Sequence, residues 1–447
     1  MQSGKSLAAA LLAALLAMLA AALFAVSSTQ AQSASLEVDP ALEQKLDSVG
    51  DAAPVTAVLT YEGMPTEAQV EQARQTGVTV HQFDELPMLG VEGTSAQVER
   101  TLSLEGVQNA HLDKPLDLLM DDSRPLIGAD RVENELGYTG KDVGVAVIDS
   151  GIDGLHPDVK YPERTVQNVK IAGVPGTNGL GTVNLENVPN TDTTSGHGTH
   201  VAGTIGGDGS ASNGKYTGVA PGSDLIGIGA GDGLSILYAL EGFDYALQNQ
   251  EKHNIQVINN SWGTTGEFDP EDPINVASKE AHDAGMTVAF AAGNAGPAED
   301  TLNPYSVAPW VIGVAAGEKD GETLSDFSSR GRPGSDLYHP TLTAPGSGIV
   351  SARASTGVTV GATSVIDDVD SLSPALLPYY TTLSGTSMAT PHVAGTIALM
   401  EEANPSLTPD EAKNILTSTA DPMNYAEYEA GAGYLDAYEA VQQAETN

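Results

Sequence analysis

Between residues 143 and 315 the chain keeps returning to one device: a short, near-continuous apolar run followed by a glycine-rich break and a stretch with helical spacing. The runs are 143–148, 225–229, 257–261, 286–291 and 311–315. Apolar and polar side chains do not alternate within them, so strands formed from them must be buried on both faces. That excludes a sheet with one wet face. Strands of this kind, joined by helical crossovers, form a mostly parallel sheet covered by helices on either side. Residues 235–250, 272–284, 387–402 and 409–418 carry the helical spacing. The expected fold is therefore α/β, doubly wound. Such sheets bind ligands outside the carboxyl ends of their strands, so polar residues at those ends matter first.

A different pattern precedes this domain. Residues 55–61 read as a strand, 66–75 as a helix, and 78–83 and 87–92 as two further strands. Ser95 is expected to cap a helix reaching residue 104, and 107–112 closes the series as a last strand. The order β-α-β-β-α-β is the split βαβ arrangement of a small ferredoxin-like α+β domain, shared by many unrelated proteins. Residues 32–51 are polar and read as a flexible lead-in, 114–132 as a linker, and 357–374 as a surface insertion. At the start, Lys5 precedes an Ala/Leu-rich run over 7–26 and a small, polar stretch over 27–31, which reads as a signal peptide cleaved near Ala31. An uncleaved membrane anchor is the alternative for that segment. The expected organisation is 1–31 signal peptide, 32–120 N-terminal domain and 121–447 main domain.

Charge narrows the partners. Fifty-nine acidic against 19 basic side chains give a net charge of −40. Such a chain repels nucleic acid and anionic membranes, so no nucleic-acid partner is expected. It suits high salt, where screening weakens self-repulsion. There is no cysteine, which excludes disulfides, thiol catalysis and zinc–thiolate sites.

Three apolar runs end in polar residues set among glycines: Asp149 in VIDSGID, Ser261 in NNSWG and Asn294 in FAAGNAG. Any one of them alone reads equally as a strand entering a polar turn; three together argue for a shared site. His197 lies in SGHGTHVAG, where flanking glycines suggest an accessible imidazole, the natural proton carrier near neutral pH. Metal ligation by His197 and His200 lacks an acidic or cysteine partner at zinc spacing; a structural histidine is the plain alternative. Ser387, in SGTSMATPHVAG, is expected to open a helix with Pro391 in or just after its first turn. Free backbone donors and the dipole at a helix start stabilise an alkoxide or oxyanion. The plain alternative is that Ser387 is only a cap, although a cap needs neither Gly385 nor small residues at 389 and 390.

VIDSGID, GHGTHVAGT and GTSMATPHVAG resemble the motifs of the subtilisin-like serine peptidases (subtilases), in the chain order Asp…His…Ser. GVAP at 218–221, AAGN at 291–294, DFSSRG at 326–331 and TAPG at 343–346 add to the resemblance, which covers about 132–441. It implies a serine endopeptidase that cleaves proteins or peptides through an acyl-enzyme, with no cofactor for catalysis. By the same resemblance Ser387 is the nucleophile, His197 the base and then the acid, and Asp149 the residue that orients the imidazole. Asn294 is the oxyanion donor. Ser261, Trp262 and Gly263 form the edge on which substrate backbone pairs, and Ala291, Ala292 and Gly293 the opposite wall of the first specificity pocket. Trp262 is bulkier than the family leads one to expect, which leaves the subsite preferences open. The 206–216 loop does not match the family's calcium loop, so that site is not carried over; structural calcium in another acidic loop stays open without a location.

The N-terminal domain resembles the family's inhibitory propeptide by pattern. That implies a secreted, autoprocessed zymogen whose propeptide inhibits it intramolecularly and whose mature form is a monomer. A membrane-tethered processing protease of narrow specificity is the alternative. An inactive binding module on the same fold would show a missing triad member or a missing Asn294, and all four are present. An α/β-hydrolase esterase requires G-x-S-x-G, which does not occur.

Overall fold

The computed structural model describes residues 36–83, 86–112, 123–173, 182–231, 235–357 and 365–447. The 1–31 segment lies outside these residues, as does most of the expected junction near 120. The chain divides into two compact units, Met1–Asp117 and Leu118–Asn447.

In the first unit the strands are β1 (Glu37–Val38), β2 (Pro54–Tyr61), β3 (Thr79–Gln82), β4 (Met88–Thr94) and β5 (Val107–Leu112), in the sheet order β1-β5-β2-β4-β3. Val55, Ala57, Leu59 and Tyr61 of β2 alternate inward onto Val70, Ala73 and Val98 of the Glu67–Gln75 and Ser95–Thr101 helices. This period of two is that of a sheet covered on one side only. Two expectations need correction. The 32–51 stretch is no flexible lead-in: it holds β1 and a Pro40–Ser48 helix, seated by a fully buried Leu42. One apolar anchor in a polar segment is too sparse to show as periodicity. Nor is Ser95 the cap of its helix. Thr94 is, accepting from Gln97 N while the Gln97 side chain returns to Thr94 N at 2.7 Å.

The second unit is built on eight strands: β6 (Gly144–Asp149), β7 (Thr165–Gly173), β8 (Thr182–Leu185), β9 (Asp224–Gly229), β10 (Ile255–Asn260), β11 (Thr287–Ala291), β12 (Ile312–Gly317) and β13 (Leu342–Pro345). Their order is β13-β12-β11-β10-β6-β9-β7-β8, parallel except for the β7–β8 edge pair. Val145 and Val147 of β6 face a core shared with the His197–Gly206, Thr386–Ala403, Pro409–Thr419 and Ala437–Thr446 helices. Ala146 and Ile148 face a second core with the Ile236–Gln248 and Pro273–Asp283 helices. The central strands β6, β9 and β10 thus feed both cores, and each fully buried Val or Ile contributes roughly 1.5–3 kcal/mol. That is why the runs are continuous rather than alternating.

β7 escapes pattern reading because Gln167 and Asn168 interrupt it. Both are buried, with their amides bonded to Tyr245 Oη and Ile152 O. The expected 114–132 linker is in part core: Ile127, Ala129 and Val132 are buried in the first cluster. Part of the expected surface insertion at 357–374, residues 365–374, is described. Its Val365–Ser371 helix buries Asp368, which bonds Arg353 and Thr382 N beside an antiparallel pair, β14 (Ile349–Ala352) and β15 (Tyr380–Leu383).

After β6 the chain moves to β7 and β9 on one side; from β10 it moves to β11, β12 and β13 on the other. The crevice of a doubly wound sheet opens at this switch point, outside the carboxyl ends of β6 and β10. Asp149 ends β6 and Ser261 follows β10.

Candidate active site

Asp149 is held at the strand end with its side chain only 4% exposed. Its Oδ1 accepts from Ser150 N at 2.7 Å and from the His197 Nδ1–H at 2.8 Å. That bond fixes the imidazole tautomer and turns Nε2 away from the carboxylate. His197 is the first residue of its helix, and its side chain is 26% exposed. Burial works against the imidazolium, but the Asp149 charge, the bond to it and the charge of Asp192 outweigh burial, and the His197 pKa is raised. The flanking glycines act otherwise than expected. Gly196 takes the left-handed φ of 87° that turns the chain into the helix. A Cβ on Gly198 would stand 2.2 Å from Gly151 O, so Gly198 serves close packing of the helix start on the β6 end rather than access.

Asp192 has no counterpart among the expected site residues. It is fully buried and accepts from Gly196 N, Thr199 N, Thr199 Oγ1 and Ser150 Oγ. Gly196 has no side chain with which to cap the His197 helix, and Asp192 supplies the cap from four residues upstream. Ser150 Oγ in turn accepts from Gly198 N at 2.9 Å, which ties helix to strand. The only sequence signal was an Asp in a Thr/Ser-rich loop just before a helix start. His200 is a buried structural group: its Nε2 lies 3.0 Å from Ile349 O, and burial drives its pKa down to about 3.

The helix carrying Ser387 starts one residue earlier than expected, at Thr386, with Gly385 as N-cap, so Ser387 is not a cap. Ser387 Oγ donates to Ser261 O at 2.8 Å and makes no bond to His197 in this state. Ser261, the acceptor of that bond, lines a small cavity together with Trp262, Asp149, Ser150, Ser195 and His197.

Asn294 lies three residues past β11. Its Oδ1 accepts from Thr386 N at 2.8 Å and Thr386 Oγ1 at 3.0 Å, which settles the amide orientation. The Nδ2 is left as a free donor, and so is Ser387 N–H. A Cβ built on Gly385 would stand 3.4 Å from Asn294 Nδ2 and 3.6 Å from Ser387 N, so both donors border one space.

Beside Ser387 opens a cavity of about 430 Å³ with no charged side chain in its lining. Trp262, Gly263, Thr264 and Thr265 form one wall, Ala291, Gly293, Asn294 and Ala295 another, and Ser329 closes it. Ala292, expected beside Ala291 and Gly293, is fully buried behind that wall in a cluster with Leu302 and Val307. Asn303, also unanticipated, joins the walls: its Nδ2 donates to Ala291 O at 2.9 Å and Trp262 O at 3.2 Å. Trp262 does not fill the cleft with its ring. The indole folds back onto Phe290 and Tyr305, and Nε1 donates to Ile148 O at 2.8 Å. Its bulk is spent on the core beneath the sheet.

Among the described residues no group of three or more His, Asp or Glu side chains is placed to hold a metal ion. In the 206–216 loop Asp208 accepts from Ser210 N at 2.9 Å, and Asp158 accepts from Asp208 N and Ala211 N.

Comparison with known proteins agrees with this layout. The model of the "Subtilase family" matches residues 140–434. Serine protease AprX of Bacillus subtilis is 32% identical over 400 residues, covering 85% of this chain and 84% of that protein. Subtilisin of Bacillus pumilus is 34% identical over 313 residues, covering 68% of this chain and 93% of that one. Among solved structures, sphericase aligns with a TM-score of 0.54 at 26% identity, over 69% of this chain and 96% of its own. With the family model matched over residues 140–434 and both relatives aligned along most of this chain, the conclusion follows: the chain belongs to the subtilase family and is a subtilisin-like serine endopeptidase.

Proposed function

We infer that Ser387, His197 and Asp149 are the catalytic triad of a secreted endopeptidase that works through an acyl-enzyme. The observation that carries this is the His197–Asp149 bond of 2.8 Å, together with a Ser387 hydroxyl flanked by two free donors. In the reaction the Ser387 hydroxyl leaves Ser261 O and gives its proton to His197 Nε2 as its oxygen attacks the scissile carbonyl. Asp149 stabilises the imidazolium, and the developing oxyanion takes hydrogen bonds from Asn294 Nδ2 and Ser387 N. His197 then returns the proton to the leaving amine, and water repeats the sequence on the ester. No cofactor enters these steps. The uncharged 430 Å³ cavity suits an apolar or aromatic side chain before the cleaved bond. Substrate backbone pairs along 261–263 as an added strand.

Residues 32–120 serve as the propeptide of a zymogen that cuts itself near residues 118–122, and 1–31 as its export signal. The mature enzyme acts as a monomer.

Ser387→Ala and His197→Ala should each lower kcat by about 10⁶, and Asn294→Ala by about 10²–10³, the scale of subtilisin itself. Ser387→Ala should also leave the precursor uncut. The check is kcat on a peptide amide together with mass spectrometry of a serine-directed covalent label. Labelling anywhere but Ser387, or an active Ser387→Ala variant, overturns the assignment.

A further inference from the structure

Pro391 is the sixth residue of the Thr386–Ala403 helix. In an unbroken helix its N–H would bond to the carbonyl of Ser387, four residues back, but proline has no N–H to give. The orphaned acceptor is therefore the carbonyl of the reacting residue itself. It is not left unpaired: Ser261 Oγ donates to Ser387 O at 2.9 Å. Ser261 is only 2% exposed, and its oxygen accepts from Asn259 Nδ2 at 3.0 Å, so its single proton is committed to the Ser387 carbonyl. The return bond runs from Ser387 Oγ to Ser261 O at 2.8 Å. Two residues 126 positions apart are thus doubly linked, one on the strand end and one on the helix start. The carbonyls on either side of Ser387 find extra donors within their own helix: Thr386 O accepts from Thr390 Oγ1, and Met388 O pairs with His392 Nδ1. Only the carbonyl facing the missing N–H is served from another element.

We propose that Ser261 is a positioning residue whose hydroxyl replaces the helical donor that Pro391 lacks and so fixes the backbone at Ser387. The carbonyl sets ψ of Ser387, and with it the placement of Oγ between His197 and the two oxyanion donors. This role belongs to the side chain and is separate from the pairing of the 261–263 backbone with substrate. It rests on the assignment of Ser387 as nucleophile.

The test is a double-mutant cycle in the mature enzyme. Ser261→Ala, Pro391→Ala and the double variant are compared with wild type and Ser387→Ala, with concentrations set by titration with a serine-directed inhibitor. Ser261→Ala should lower kcat by about tenfold or more with KM within about twofold, because an unsatisfied buried carbonyl misplaces the nucleophile without touching the subsites. Ser261→Thr, which keeps the hydroxyl, should lose markedly less of kcat than Ser261→Ala. Pro391→Ala restores the helical donor, so in that background Ser261→Ala should cost less than about threefold. Equal losses in both backgrounds, or a loss carried by KM, overturn the proposal. If Ser261→Ala yields no titratable enzyme, recovery of titratable enzyme in the double variant supports it, and failure of both overturns it. A fully active Ser387→Ala would instead sink the underlying triad assignment.

Discussion

His197 stands between two buried carboxylates, Asp149 in contact and Asp192 behind the helix start. Both charges favour the imidazolium and hold the His197 pKa above its ordinary value near 6.5. In its proposed role as general base His197 must be neutral, so the acid limb of kcat/KM against pH should lie above that value, with activity rising as pH passes the raised pKa. Asp192→Asn removes one of the two charges while keeping an acceptor for Gly196 N. It should move the limb to lower pH, measured on a peptide amide from pH 5 to 9. An unmoved limb would mean that Asp192 acts on the helix alone. At this scale the sequence spoke unevenly. Asp149, His197 and Ser387 sit in motifs whose glycines and small neighbours mark them out. Asp192 and Asn303 carry no such mark, because what defines them is a set of bonds to residues from other elements.

The Thr386–Ala403 helix presents contrasting carboxyls near its carboxyl end. Glu402 accepts from the backbone N–H groups of Thr139, Gly140 and Lys141. Glu401 is 3% exposed, its Oε1 has no partner, and burial pushes its pKa up to about 8. The sign follows. The folded state keeps this proton between the ordinary carboxylate range and about pH 8, where the unfolded chain has lost it. Stability from this group is therefore present at acid pH and is lost as pH rises through that window. Glu401→Gln should raise the thermal midpoint by about 5 °C at pH 8.5 and by little at pH 5. Scans in an Ser387→Ala background, which stops self-digestion, would show it; a gain independent of pH would rule the titration out.

Across the whole molecule the formal charge of −40 acts as one quantity. Fifty-nine acids against 19 bases leave most surface carboxylates without a cationic partner, and their mutual repulsion opposes the compact state. Screening shortens from about 30 Å at 0.01 M salt to about 3 Å at 1 M. The thermal midpoint should therefore climb steadily with sodium chloride over that range, by several degrees, as followed by circular dichroism at constant pH. A flat profile would show that the acidic surface carries no stability cost.

The sequence by itself determined the architecture and the chemistry. Near-continuous apolar runs mark strands buried on both faces, and three short motifs carry Asp149, His197 and Ser387. It did not reveal β7, where buried Gln167 and Asn168 break the run, or the Pro40–Ser48 helix, anchored by one leucine. Nor could it give the direction of the Trp262 ring, the reason for Gly198, or the partner of the carbonyl that Pro391 leaves free. These depend on which atoms of distant segments come within hydrogen-bond reach, and only the folding of the sheet around its switch point brings those segments together.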